Sequence, residues 1–356
     1  MIKKFICLCV LIVVAFFGVG CALTLNNQPD SKNEEFIGET ISYVSLGDSI
    51  PEGYYLPKYE EKDEYGFVKQ SYTHSLKSFF ESKYKEVHAH NYATAGLTST
   101  QLKEQLMALD GQTLSPNEEE MKMNIIGADV ITVCIGANDI LTPALDNFLN
   151  IVLNEDISSY LTEFDNGIAA FTSNFPIIVS KLKELNPTAK LIFSNIYNPY
   201  KDFITATSNI EIYYLLYKIY DIPYEKINLI GQISEAYVDG DTIYEAGQAV
   251  KIIDNGLNQV IEKTIAGIEN CYLLDVKTCF DNSYNLNNSY EIVNASVLKY
   301  NRISFEFSNL FDTEQTLAEL QIQILPYIDP HPSTLGHEKI NDILIQKVTD
   351  TMTQNT

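Results

Sequence analysis

The sequence predicts an α/β domain in three layers, with helices on both faces of a central, mostly parallel sheet of five strands. Short apolar segments, rich in β-branched residues, alternate with longer segments whose apolar residues recur at helical spacing. Strands of this kind, separated by helices, are typical of a parallel sheet covered on both faces. No repeat and no Gly/Ser-rich or Pro-rich linker divides residues 41–352, so we expect one domain there.

The elements follow one another from these patterns. Thr98 and Gln101 have the spacing of a capping box, which predicts the start of a helix. The Asn186–Pro187 pair predicts the end of another, because a residue before proline avoids helical conformation. Strands are predicted at 41–46, 87–93, 129–135, 190–194 and 271–275, and helices at 68–83, 98–109, 157–185, 242–266 and 334–348.

Two stretches do not fit this alternation, residues 199–241 and residues 277–328. The first contains several tyrosines, and the second is rich in asparagine at its start and more apolar later. We expect both to be insertions near the carboxyl ends of strands, where they could wall or cover a pocket.

The charge balance argues against nucleic acid as a partner. The 356 residues contain 24 Lys and Arg against 47 Asp and Glu, which gives a net charge of −23. Such an acidic surface repels a polyanion. Arg302 is the only arginine, so the bidentate group that suits phosphates and base edges is almost absent.

The N-terminal segment predicts export. Lys3 and Lys4 precede an apolar run, residues 5–17, that is shorter than the about 20 residues needed to span a bilayer. Cys21 follows small residues, which resembles the lipobox of bacterial lipoproteins, where the signal is cut before a cysteine that then receives a lipid. We therefore interpret residues 1–21 as a signal peptide with Cys21 as the lipidation site.

The polar residues 22–40 then form a flexible tether to a domain on the extracellular face of the membrane. Plain secretion and an uncleaved anchor remain alternatives. Cys271 and Cys279 could pair in such an oxidising compartment, but their spacing alone leaves this open.

Candidate functional residues stand where predicted strands end, because ligands of parallel sheets bind beyond the carboxyl ends of the strands. Ser49 follows the first strand on a turn that begins with Gly47, a placement typical of a nucleophile. Gly96 follows the second strand, and its backbone N–H can approach a ligand closely. Asn138 follows the third strand and could donate an amide hydrogen into the same crevice or simply cap a helix.

His331 is the strongest candidate among five histidines. It stands between Pro330 and Pro332, which restrain its backbone at a cost that a histidine without a function would not justify. His88 and His90 alternate along one strand face, but no Cys or His cluster completes a metal site around them. No metal or other cofactor is therefore predicted.

These four segments, in this order, resemble the SGNH hydrolases, also called GDSL esterases and lipases, over the whole folded domain. Ser49 lies in GDSI, with isoleucine in place of the usual leucine, and Gly96 lies in NYATAGLTS. Asn138 lies in IGAND, and His331 lies in HPSTLGH. The resemblance implies the flavodoxin-like fold of that family and a serine esterase mechanism with an acyl-enzyme.

The resemblance also implies roles. Ser49 would be the nucleophile and His331 its base, and the oxyanion donors would be the backbone N–H groups of Ser49 and Gly96 and the amide of Asn138. The family's aspartate stands three residues before the histidine, where this chain has isoleucine. Asp329, two before, is the candidate to orient His331, and a backbone carbonyl nearby is the alternative.

The resulting hypothesis is a membrane-tethered extracellular serine esterase or lipase acting on acyl esters. Two alternatives stay open. One is an O-deacetylase of cell-wall or extracellular polysaccharide, which the surface location and the 23 tyrosines favour. The other is a surface lipoprotein that has kept the fold as a binding module without catalysis, for which the unusual position of Asp329 is the support.

Overall fold

The computed structural model describes residues 37–140, 142, 157–199, 236–240, 243–246, 249–252, 255–284 and 331–353. The strands are β1 (Gly38–Gly47), β2 (Tyr84–Asn91), β3 (Val130–Cys134), β4 (Lys190–Ser194), β5 (Ile243–Ala246), β6 (Ala249–Ile252) and β7 (Cys271–Leu274). The helices are α1 (Ser49–Glu52), α2 (Tyr72–Lys83), α3 (Ser99–Ala108), α4 (Pro116–Gly127), α5 (Ile157–Leu185), α6 (Leu257–Ile265), α7 (Val276–Tyr284) and α8 (Thr334–Thr353).

The central sheet has the strand order β2-β1-β3-β4-β7, and each neighbouring pair is parallel. β1 lies between β2 and β3, with Gly47 opposite Cys134. The carboxyl ends of these three strands therefore meet at one edge of the sheet, and the loops that follow them lie side by side.

Each face of the sheet carries its own core, because successive residues of a strand point to opposite sides. On one face Leu46, Val133 and Phe193 are buried beneath α3, α4, α5 and α6. On the other face Tyr43 and Ile192 are buried beneath α1, α2, α7 and α8. The predicted three-layer α/β/α architecture is confirmed.

The helix predicted across residues 242–266 is wrong in its first half. β5 and β6 form an antiparallel pair with Ala246 opposite Ala249, and α6 begins only at Leu257. Gly247 and Gln248 separate the two short strands, and a two-residue connection that begins with glycine is typical of a β-hairpin. The apolar residues on either side fit a helical spacing by chance. Gly247 is the stronger signal, and it indicates a turn between two strands.

Three helices were not predicted: the one-turn α1 and two longer helices, α4 and α7. α4 begins with a capping box between Ser115 and Glu118 and has Pro116 in its first turn, which are strong signals for a helix start. α7 lies within residues 277–328, which were predicted as an insertion, yet its Phe280 is fully buried in the core. Residues 276–284 are therefore part of the three-layer domain, whereas residues 200–235 and 285–330 lie outside the described residues.

The N-terminal predictions fall mainly outside the described part of the chain. β1 begins at Gly38, inside the predicted tether, while residues 1–36, with the predicted signal peptide and Cys21, are not described. No helix among the described residues is both long and apolar enough to span a membrane. Cys271 and Cys279 are free cysteines, and they pack into cores on opposite faces of the sheet, so they do not form the disulfide that their spacing left open.

Candidate active site

A glycine turn presents Ser49 at the end of β1. Gly47 has a φ of +133°, and a Cβ there would stand 1.9 Å from the carbonyl oxygen of Cys134, so a side chain cannot fit. The next residue, Asp48, donates its backbone N–H to the same oxygen at 3.1 Å and caps α1 by accepting from Ile50 N at 3.1 Å. Ser49 is thus the first residue of α1, where backbone N–H groups have no acceptor within the helix.

The imidazole of His331 reaches this serine from the far end of the chain. His331 Nε2 lies 2.8 Å from Ser49 Oγ, although 282 residues separate them. His331 stands just before α8, whose first turn is fixed by a hydrogen bond from Gly336 N to Ser333 Oγ at 3.2 Å. α8 buries Ile340 in the same core as α1 and α2. The sheet and α8 together create a contact short enough for proton transfer from the hydroxyl to the imidazole.

The loop after β2 is attached to the nucleophile strand. Thr94 N donates to the carbonyl oxygen of Gly47 at 2.9 Å. Gly96, two residues further on, has a φ of +79°, a conformation that L side chains rarely adopt. Among the described residues, no atom beyond its two chain neighbours lies within 4 Å of the place where its Cβ would stand. The chain therefore needs glycine at this position for its conformation, not because a side chain would collide with a neighbour.

Asn138, after β3, is fixed to the Gly96 loop. Its Nδ2 donates to the carbonyl oxygen of Leu97 at 3.1 Å, which uses one of its two amide hydrogens. The neighbouring Asp139 accepts from Ser99 Oγ at 2.6 Å and from Ser99 N at 2.9 Å. Burial raises the pKa of Asp139. The structure therefore brings Gly96 and Asn138 into one assembly beside β1, as the sequence predicts.

Two buried titratable side chains, Asp48 and His337, lie near the pair formed by Ser49 and His331. Asp48 is inaccessible to solvent, and its Oδ2 has no hydrogen-bond partner among the described residues. Burial raises the pKa of Asp48 to about 7. His337 is also buried, and burial lowers the pKa of its imidazole to about 3, so the ring stays neutral.

The remaining histidines do not join the site. His88 Nε2 lies 3.4 Å from Glu86 Oε1, and His90 Nδ1 lies 3.6 Å from Glu120 Oε1, so each has its own carboxylate neighbour. Across the described residues, no group of three or more His, Cys, Asp or Glu side chains could hold a metal ion. Asp329, the predicted partner of His331, lies outside the described residues.

Two tyrosines that sequence reasoning missed line the imidazole, and a third packs against one of them. The ring centroids of Tyr54 and Tyr55 lie 5.2 and 5.5 Å from that of His331, and 4.3 Å from each other. Tyr59 packs against Tyr54 at 5.0 Å. We call Tyr54, Tyr55 and Tyr59 the tyrosine ledge. Their position only five to ten residues after Ser49 was the available signal, since a short loop cannot carry them far from the nucleophile.

Comparison with known proteins points to one family. The sequence model of the family described as GDSL-like lipase/acylhydrolase matches residues 43–344. An uncharacterized protein of Bacillus subtilis, YpmR, is 28% identical over 173 residues, which is 49% of this chain and 58% of that protein. The chain thus matches less than two thirds of that relative's length.

A solved lipase structure shows the same fold. The extracellular lipase of Streptomyces rimosus is similar with a TM-score of 0.50 and 15% identity, over 86% of this chain and 99% of the lipase. The phospholipase A1 of Streptomyces albidoflavus is similar with a TM-score of 0.49 and 13% identity, over 86% of this chain and 98% of the phospholipase.

Proposed function

Since this chain belongs to the GDSL-like lipase/acylhydrolase family and is therefore an ester-hydrolysing serine hydrolase, we propose that it cleaves carboxylic esters with Ser49 as nucleophile. The observation that carries the proposal is the 2.8 Å contact between Ser49 Oγ and His331 Nε2. A serine hydroxyl is a weak nucleophile near neutral pH, and a base within hydrogen-bond reach activates it.

In the first step, His331 takes the proton of Ser49 as Oγ bonds to the ester carbonyl carbon. The carbonyl oxygen becomes an oxyanion. The backbone N–H groups of Ser49 and Gly96 and the side-chain amide of Asn138 would stabilise it. The hydrogen bonds that link the loops after β1, β2 and β3 support this assignment, because they fix the three donors relative to one another.

In the second step, the carbon–oxygen bond to the alcohol breaks, and His331 gives its proton to the leaving oxygen. The acyl group stays on Ser49 as an ester. His331 then takes a proton from water as the water oxygen bonds to the acyl carbon, and returns this proton to Ser49 Oγ when the carbon–Oγ bond breaks and the acid leaves. Asp329 would accept the Nδ1 hydrogen of His331 and stabilise the imidazolium, with a backbone carbonyl near Ile328 as the alternative acceptor.

Family membership and the contact between Ser49 and His331 favour catalysis over a binding module without catalysis. Two ester classes remain as substrates, acyl lipids and O-acetylated polysaccharides. The second class is favoured by a specific observation, the tyrosine rings against His331. We also propose that the enzyme works at the extracellular face of the membrane, held by a lipid on Cys21; the sequence pattern of residues 1–21 supports this.

The test of the reaction uses p-nitrophenyl acetate with wild type, Ser49→Ala and, as the matched control, Ser45→Ala. Ser45 is a buried serine of β1, four residues before the nucleophile. We expect turnover to fall by about 10⁴-fold or more in Ser49→Ala and to persist in Ser45→Ala. A fluorophosphonate should label wild type and not Ser49→Ala. Equal turnover in wild type and Ser49→Ala would refute the assignment.

A further inference from the structure

We propose that Tyr54 and Tyr55 form the subsite for the alcohol part of the substrate, and that this alcohol is an uncharged sugar whose hydroxyl carries the ester. The two rings that contact the imidazole of His331 are the observation behind it. The inference rests on the function proposed above, because it names the substrate class of that same site.

The position of the rings assigns them to the alcohol and not to the acyl group. When the carbon–oxygen bond of the ester breaks, the electron pair goes to the alcohol oxygen, and the proton comes from the imidazolium. The alcohol must therefore lie within reach of His331 Nε2. Tyr54 and Tyr55 border His331, whereas the oxyanion donors Gly96 and Asn138 belong to the loops after β2 and β3.

The backbone holds the ledge firmly beside the nucleophile. Gly53 ends α1 with a φ of +83°, and Tyr54 N donates to the carbonyl oxygen of Ser49 at 3.0 Å. Tyr55 has a φ of +62°, which is rare for a bulky residue. Residues in such conformations concentrate at active sites and ligand clamps, where the side chain is needed in one place.

An ion pair with one buried partner, Glu52, supports the outer end of the ledge. Glu52 is 5% exposed and accepts a hydrogen bond from Lys62 Nζ at 2.5 Å. Lys62 Nζ also donates to Tyr59 OH at 3.2 Å and lies 4.4 Å from the centroid of that ring. Since Tyr59 packs against Tyr54, the ledge is fixed at both ends, by His331 and by the ion pair.

The chemistry of the ledge suits a sugar better than a hydrocarbon chain. Tyr55 is 60% exposed and offers both an apolar ring face and a hydroxyl, a combination that matches the C–H face and hydroxyls of a sugar ring. Ile50 and Leu56, the aliphatic side chains in this segment, are buried. The large exposed aliphatic and methionine side chains of the described residues lie elsewhere, at Ile37, Met107, Met123, Ile126, Ile177 and Ile268.

Charge favours a neutral sugar over an anionic headgroup. The cation at the ledge, Lys62, is already paired with Glu52. The chain as a whole carries a net charge of −23, which repels anionic surfaces. A phosphate-bearing alcohol would therefore meet no unpaired cation on the ledge and an unfavourable field around it.

The test compares two acetate esters that differ only in the alcohol, an O-acetylated methyl glycoside and ethyl acetate, with ethyl octanoate as the long-acyl arm. We expect wild type to prefer the glycoside over ethyl acetate in kcat/KM by about tenfold or more. Tyr55→Ala should lower the ratio of kcat/KM for the glycoside to kcat/KM for ethyl acetate by about tenfold, mainly through a higher KM for the glycoside. Tyr55→Phe should keep most of the preference, because it keeps the ring.

The matched control is Tyr65→Ala, since Tyr65 is also an exposed tyrosine, at 42%, but contacts His90 instead of His331. Tyr65→Ala should leave kcat/KM for the glycoside and for ethyl acetate at the wild-type values. If Tyr55→Ala does not fold, Tyr55→Gly removes the ring with the residue that the positive φ favours.

Three outcomes would overturn the subsite. Equal losses on the glycoside and ethyl acetate would mean that Tyr55 only positions His331. A loss confined to ethyl octanoate would place an acyl chain on the ledge. No loss would mean that the ring binds nothing. Failure of the esterase function itself is distinguishable, because then ethyl acetate would be turned over equally by wild type and Ser49→Ala.

Discussion

His337 Nδ1 accepts a hydrogen bond from the backbone N–H of Tyr72 at 3.2 Å, and the two rings stack with centroids 5.8 Å apart. The contact joins the first turn of α8 to the first turn of α2. Since Nδ1 is the acceptor, the neutral ring carries its hydrogen on Nε2, which is buried without a partner among the described residues. His337 therefore fixes the start of the helix that follows His331.

Replacing His337 by phenylalanine keeps an aromatic ring but removes the acceptor for Tyr72 N. We expect the free energy of unfolding at pH 8 to fall by about 1–3 kcal/mol, because a buried N–H loses its partner. Urea unfolding measures this change. His337→Asn, whose amide oxygen can accept, should recover part of the loss, and a Phe variant as stable as wild type at pH 8 would contradict the role.

The pH dependence of His337→Phe has a definite sign. The folded-state pKa of about 3 lies below the ordinary value of 6.5, so below pH 6.5 the unfolded chain binds a proton that the fold excludes. The wild type therefore loses stability as the pH falls from 6.5 towards 3, by at most about 1.4 kcal/mol per pH unit. The phenylalanine variant lacks this slope. The difference in free energy of unfolding between wild type and His337→Phe should therefore shrink from pH 8 to pH 5. A difference that stays constant would exclude the buried neutral imidazole.

Asp48→Asn should show the opposite slope. Burial raises the folded-state pKa of Asp48 to about 7 from an ordinary 3.8, so between these values the folded state holds a proton that the unfolded chain has lost. The wild type thus loses stability from this group as the pH rises from 3.8 to 7. The asparagine variant stays neutral and should gain on wild type by up to about 1.4 kcal/mol per pH unit in that window.

Asp63→Asn is the control for Asp48→Asn. Burial acts to raise the pKa of Asp63, but the hydrogen bonds from Lys77 and from Phe67 N outweigh it and leave the pKa lowered. Its contribution is present above the ordinary pKa and is lost as the pH falls. From pH 3 to pH 8, the free energy of unfolding relative to wild type should rise for Asp48→Asn and fall for Asp63→Asn, and a change of the same sign in both variants would contradict one of the assignments.

Gly47→Ala and Gly96→Ala separate a steric need for glycine from a conformational one. Both glycines have a positive φ, but only at Gly47 would a Cβ collide with a neighbour, the carbonyl oxygen of Cys134 at 1.9 Å. Gly47→Ala should separate β1 from β3 and prevent folding to a stable enzyme. Gly96→Ala should fold with a loss of about 1–2 kcal/mol from the strained backbone. Thermal unfolding and circular dichroism distinguish them, and equal stability of the two variants would contradict the packing at Gly47.

Asn138→Ala tests the oxyanion donor. Removing one such donor lowers kcat by about 10²–10³-fold in serine hydrolases. We expect that loss in p-nitrophenyl acetate turnover, with a folded protein, because the amide makes a single contact to Leu97 O across the loops. The control is Asn117→Ala, in the first turn of α4, which should keep the wild-type kcat. A kcat for Asn138→Ala within about tenfold of wild type would remove Asn138 from the oxyanion hole.

Much of this architecture could be predicted from local pattern. β4 and α5 begin and end where the apolar spacing and the Asn186–Pro187 pair predict, because strong periodicity and a proline break leave little choice. The β5–β6 hairpin was missed because two four-residue strands are too short for periodicity to separate them from a helix. There the two-residue turn carries the information.

The candidate site likewise has residues that the sequence predicts and residues that it does not. Ser49, Gly96, Asn138 and His331 could be placed from motifs because each follows a strand or precedes a helix. The tyrosine ledge could not be placed, because the direction of the rings depends on the positive φ values at Gly53 and Tyr55 and on the ion pair behind Tyr59. Those are properties of the folded loop, not of residue spacing.

His331 is held beside Ser49 by α8, which packs on α2, so the esterase activity cannot appear during synthesis before this part of the chain exists. The ribosome makes α1, which carries the Ser49 hydroxyl, first, and it makes His331 282 residues later. A nascent chain that stops before His331 has the Ser49 hydroxyl without its base, so this hydroxyl is not activated. Ester hydrolysis therefore requires that synthesis has passed His331, and for an exported protein this order would keep ester cleavage silent until that segment has been made and folded.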